Sequence, residues 1–134
     1  MPEVIDIGPA ILEKPRPDLI VVRFRPGSLA DGNNLLISVA ARKEHCGGRP
    51  HIAVLIAPED SDFAPSILGR NQYLGTGAET FTKALAVVCP NPTVRNIIEL
   101  YFAMHLVSFP VQYFSNEAAA MEWAHPQCVA LQQG

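Results

Sequence analysis

With 134 residues, 49% of them hydrophobic and 17% charged, the chain has the material for one buried core without disulfide or metal staples, and its composition excludes a disordered segment. The net charge is −3 at pH 7, and the ten Lys and Arg residues are scattered, with Arg42, Lys43 and Arg49 coming nearest to a cluster. No nucleic-acid partner is therefore expected, because phosphate binding needs clustered cations.

The start, Met1-Pro2-Glu3-Val4, lacks the basic-then-apolar pattern of a secretory leader. Apolar runs such as 52–57 are far shorter than the roughly 20 residues a membrane span requires. Three widely spaced cysteines, Cys46, Cys89 and Cys128, suit reduced thiols rather than a disulfide framework. A cytoplasmic domain over residues 1–134 is expected, with no membrane span, no cofactor, and a loose tail from about residue 127.

Residues 4–7 and 10–13 are both candidates for a first strand, and the prolines in Pro15-Arg16-Pro17-Asp18 turn the chain by removing ladder donors. The β-branched run 19–24 is a strand ended by Pro26-Gly27, so an antiparallel hairpin opens the fold. A helix is predicted over 31–44, capped by Asp31, with Leu35, Leu36, Val39 and Ala40 buried and Gly47-Gly48 as its stop. Residues 51–57 are a continuous apolar strand, as expected for a central position covered on both faces. An acidic loop over 58–62 leads to a helix opened by residues 63–68, with Pro65 in its first turn, that carries to about Leu74. Thr76 and Glu79 then have capping-box spacing for a short turn.

The stretch 79–123 reads as one α/β unit. Residues 84–88 form an apolar strand broken by Cys89-Pro90-Asn91-Pro92, where Asn91 and Pro92 supply the cap and first position of the next helix. Val94, Ile97, Ile98, Tyr101, Phe102, His105 and Leu106 recur at helical spacing along one face. Leu100 and Met104 lie off that stripe, which suggests a partner surface or contact with the N-terminal segment. A strand over 111–114 follows, then a helix opened by Ser115 and ended by Pro126, with Ala119 and Trp123 on one face. Alternation of this kind predicts an α/β fold with a mixed, mainly parallel sheet of about five strands and four helices, in the order β-β-α-β-α-β-α-β-α.

That order, with Thr82-Lys83-Ala84-Leu85-Ala86-Val87-Val88, Arg95-Asn96-Ile97-Ile98, residues 109–117 and Met121-Glu122-Trp123, resembles the STAS/SEC14-like group of small bacterial proteins. These are related in fold to the sporulation anti-sigma-factor antagonists. The resemblance covers residues 19–123, implies a regulatory domain without established chemistry, and lies in packing motifs. Antagonists of that fold are phosphorylated on a serine at a helix start, within a Phe-x-Asp-Ser-Ser-Gly-Leu-Gly-like segment. In Phe63-Ala64-Pro65-Ser66-Ile67-Leu68-Gly69, Ser66 matches the first serine, Ile67 replaces the second and Pro65 replaces the aspartate. Ser66 keeps a hydroxyl where a helix start would favour phosphate; its plainer role is an ordinary polar residue of a first turn.

Cys89 and Arg95 have the Cys-x5-Arg spacing of cysteine phosphatases, between a strand end and a helix start. Such a position lowers a thiol pKa, and an arginine can clamp phosphate. Pro90 and Pro92 each delete a donor from the cradle, so the plainer reading is a buried thiol closing a strand. Glu59, Asp60 and Asp62 stand at a strand's C-terminal end, where α/β ligands bind, or form a solvated loop. His45-Cys46 lacks a second ligand pair, and His105 fits a core position, so no metal site is expected.

The sequence therefore predicts a binding or regulatory domain that meets a protein or small molecule through Ser66, Arg95, Asp60, Asp62 and Asn91. A carrier of a small lipophilic molecule and a Cys89–Arg95 phosphatase are the alternatives. Self-association into a homodimer through a helix or edge strand is compatible with all three.

Overall fold

The computed structural model describes residues 3–26, 29–30, 32–58, 62–63 and 77–133. In chain order the elements are β1 (Glu3–Asp6), β2 (Ala10–Arg16), β3 (Leu19–Phe24), β4 (Leu29–Ala30), α1 (Gly32–Cys46), β5 (His51–Ile56), β6 (Asp62–Phe63), α2 (Ala78–Phe81), β7 (Thr82–Val88), α3 (Pro92–Met104), β8 (Val111–Phe114) and α4 (Glu117–Gln133). One sheet has six strands in the order β1-β2-β3-β5-β7-β8; β4 and β6 pair separately.

The mixed α/β class is as expected; the large sheet has one strand more than the sequence suggested, and the two-stranded β4-β6 pair was not expected. Both candidate first strands form, so β1, β2 and β3 make an antiparallel meander in place of a hairpin. Its first turn is held by the Asp6 carboxylate, which accepts from the Gly8 N–H at 2.9 Å and pairs with Arg25 at 2.6 Å. From β3 onward, each pairing is parallel: Ile20 lies beside Ala53, Leu55 beside Val87 and Val87 beside Tyr113.

Period-two alternation sends these apolar strands into two separate cores. Leu12, Ile20, Val22, Ala53, Leu85 and Val87 meet Ala41 and Cys46 of α1 with Ile98 and Phe102 of α3 on one face. Leu19, Val21, Ile52, Val54, Ala84 and Ala86 meet Ala120, Ala124 and Cys128 of α4 on the other. Such central Leu, Ile and Val side chains each contribute about 1.5–3 kcal/mol when fully buried.

Four expectations are corrected. Helix α4 does not stop at Pro126 but runs on to Gln133, so residues 127–133 are helix rather than a loose tail. Pro126 is on the exposed side of α4, where the carbonyl deprived of its donor can meet water. Ala120, Ala124 and Cys128, small and fully buried at intervals of four, hold the helix against the sheet on both sides of the proline. The cap of α4 is Asn116, whose Oδ1 accepts from the Ala119 N–H at 2.8 Å, rather than Ser115.

Helix α1 is also turned relative to the expected stripe. Leu35 and Leu36 are half-buried and Ala40 is exposed, whereas Ser38, Val39, Ala41, Arg42 and Cys46 are buried. Its stop is as expected: Gly47 and Gly48 adopt φ of 60° and 74°, and the Gly48 N–H reaches the Lys43 carbonyl at 3.0 Å. Finally, Phe63 belongs to β6, not to a helix start. The rest of the helix expected over 63–74, and the Asp31 and Thr76 caps, lie outside the described residues. At α2 the cap position is Gly77, and Glu79 accepts from the Ser108 N–H at 2.9 Å.

Candidate functional site

The parallel strands have two ends of different character. At the C-terminal end, the Ala57 N–H donates to the Val88 carbonyl and the Cys89 N–H to the Phe114 carbonyl, each at 2.9 Å, so β5, β7 and β8 finish together. The chain then turns through Cys89-Pro90-Asn91-Pro92. A residue before proline is driven to extended backbone, and Asn91 has φ −84° and ψ 113°, the geometry of a cap. Its Oδ1 accepts from the Thr93 N–H at 3.0 Å and the Val94 N–H at 3.3 Å. Asn91 and Pro92 thus start α3 as their residue types predict.

That cap occupies the amides that a phosphate cradle would need. The Cys89 thiol is 2% exposed and donates to the Asn91 carbonyl at 3.5 Å. Burial pushes its pKa up, against smaller opposing effects of the Asn91 hydrogen bond and the Arg95 charge. The thiol is therefore held protonated, opposite to the activation expected at a helix start. Arg95 lies one turn into α3 and pairs through Nε with Glu99 at 3.3 Å. Tyr113 of β8 lies close by; burial, then the Glu99 charge, push its phenol up, partly offset by Arg95. Its ring is 6.5 Å from that of Phe102.

The structure thus brings together Cys89, Asn91 and Arg95, and adds Glu99 and Tyr113. Ser66 and Asp60 lie outside the described residues, as do Glu59 and the side chain of Asp62. The backbone of Asp62, in β6, runs beside α3. Leu100 and Met104 are 48% and 54% exposed on the outer side of α3. Leu106, assigned from the sequence to the buried face, is 81% exposed because the helix ends at Met104 before reaching it.

The N-terminal end holds a polar assembly that sequence reasoning missed. Arg42 is 1% exposed, the largest fully buried side chain among the described residues. Its Nη1 donates to the Thr82 hydroxyl at 3.0 Å and lies 3.1 Å from His51 Nε2, and its guanidinium sits 5.7 Å from the Phe81 ring centroid. His51 stacks on Phe81 and places Nδ1 3.0 Å from the Arg49 carbonyl. Because guanidinium only donates and a carbonyl only accepts, the imidazole is neutral, with its proton on Nδ1. Burial first, then the Arg42 and Lys14 charges, lower its pKa to about 4 despite the Arg49 hydrogen bond. Lys14 and Arg49 cap the carbonyls of His45 and Cys46 at the end of α1, each at 3.0 Å. The available signal was spacing: Leu35, Val39, Arg42 and Cys46 fall on one helical face, and a hydrophobicity reading passes over the arginine.

Among the described residues, no three His, Cys, Asp or Glu side chains gather as a metal ion would require, and no helix is long and apolar enough to cross a membrane. Residues 64–127 match a family model described as a domain of unknown function, DUF7793. No curated protein and no solved structure matches the chain.

Proposed function

We propose that this chain is a STAS-like binding or regulatory domain, not an enzyme, that meets a protein or small ligand at the C-terminal end of its parallel strands. The observation carrying this reading is that the reactive groups there serve the fold. Asn91 takes the helix amides, and Cys89 is a buried thiol with a raised pKa. Arg95, about a third exposed and paired with the surface carboxylate of Glu99, is the group from which a partner gains a charged contact. Asp60, Asp62 and Ser66 belong to the same proposed surface on the sequence argument. The mixed α/β class and the helices on both faces of the sheet are compatible with the STAS-like assignment, and three free thiols fit a cytoplasmic location.

A lipophilic-carrier role draws less support, since Leu100 and Met104 are about half exposed among the described residues. The test is affinity capture from native lysate with the wild-type chain and Arg95→Ala as baits. Loss of specific partners from the variant at unchanged thermal stability is expected; identical capture by both would contradict the assignment.

A further inference from the structure

Strand β8 ends the large sheet, and among the described residues no strand pairs with its outer side. Its inner side is defined by the Leu85 N–H donating to the Pro110 carbonyl and the Cys89 N–H to the Phe114 carbonyl. Parallel ladders alternate, so Pro110, Gln112 and Phe114 turn their backbone groups toward β7. The N–H and C=O groups of Val111 and Tyr113 therefore point away from the sheet.

We propose that a second copy of this chain pairs antiparallel with β8 about a two-fold axis through Gln112, joining two six-stranded sheets into one. In that register, Val111 of each copy stands opposite Tyr113 of the other, and the outward groups exchange four hydrogen bonds. Gln112 meets its own counterpart as the central, non-hydrogen-bonded pair, its exposed amide able both to donate and to accept. The pairing keeps each face continuous, because Val111 and Tyr113 lie on the α1/α3 side and Phe114 on the α4 side.

Charge selects the same edge and the same occupant. Val111-Gln112-Tyr113-Phe114 carries no charged residue and no proline, the devices that protect natural sheet edges. The other edge, β1, carries the charged side chain of Asp6 among its four residues, a device of that kind. Beside β8, Arg95 and Glu99 sit one helical turn apart on α3, close to Tyr113. An antiparallel two-fold brings opposite charges of such a pair toward one another, so the flank is self-complementary.

The test uses the full chain in sedimentation velocity, with Gln112→Lys, Gln112→Cys and Val4→Cys. Wild type should sediment as a dimer, and Gln112→Lys should weaken that dimer about tenfold or more by placing like charges face to face. Under mild oxidation, Gln112→Cys should cross-link to its own kind, since central non-hydrogen-bonded pairs have Cα atoms about 4.5 Å apart. Val4→Cys, on the exposed part of β1, should not. A wild-type chain that stays monomeric at the highest concentration sedimented, a dimer indifferent to Gln112→Lys, or equal cross-linking of the two cysteine variants would overturn the proposal.

Discussion

The two ends of the parallel strands use polar residues in opposite ways. At the start of β5 and β7, Arg42, His51 and Thr82 are each 1% exposed or less and bond to one another. Where the same strands finish, Arg95 and Glu99 are over a third exposed and meet across solvent. Deep polar groups are costly to disturb, since a lost partner leaves a donor or acceptor stranded in low dielectric. Surface pairs of the second kind contribute little to stability and remain available to a partner. The first end therefore holds the fold, and the charges at the second contribute little to it.

The largest expected effect separates the ends by stability. Arg42→Ala should cost about 3 kcal/mol or more, from the lost side-chain volume together with the unbonded His51 and Thr82 groups. Arg95→Ala should cost under about 0.5 kcal/mol. Urea midpoints of the two variants measure the contrast, and equal losses would break it.

Acid should sharpen the same contrast. The folded protein holds His51 at about 4, below the ordinary 6.5. Its neutral form is favoured by folding, so the full contribution is present above pH 6.5 and is lost as pH falls through the folded value. The loss between those limits is about 3 kcal/mol. The carboxylate of Glu117, held below its usual 4.5 chiefly by the Arg23 hydrogen bond, acts in a lower window. Urea unfolding at pH 7, 5.5 and 4.5 should show the decline in wild type and a flatter profile in His51→Gln. Parallel profiles would refute the assignment to His51.

A smaller effect belongs to the turn at the other end. Asn91→Ala removes the acceptor for two α3 amides and should cost about 1 kcal/mol, with Asn91→Asp restoring most of it. Thermal melts of the three proteins give the comparison.

These contrasts also mark what a reader of the sequence could see. Strand β5 was legible because six consecutive residues are apolar apart from His51, and the start of α3 because Asn-Pro has a direct mechanical meaning. The rotation of α1 was not, because its buried face includes an arginine whose partners lie 9 and 40 residues away. The continuation of α4 past Pro126 depended on Ala124 and Cys128 being needed against the sheet, a tertiary demand that overrides a local breaker. Leu106 continued the apolar period after the helix itself had ended. At the candidate site, Cys89 and Arg95 were legible as a pair by spacing. The Asn91 cap and the buried thiol were legible too, from the Asn-Pro pair and the strand end; that Arg95 turns to Glu99 rather than to the thiol was not, because spacing does not encode a side chain's choice of partner.

The most direct measurement of the central claim is the native alkylation rate of Cys89 by iodoacetamide at pH 7.5, followed by peptide mass spectrometry against a denatured control. The account predicts protection of about tenfold or more relative to the unfolded chain, as for a buried thiol with a raised pKa. Alkylation of Cys89 faster than in the unfolded chain would identify an activated thiolate and contradict a purely binding role for this end of the sheet.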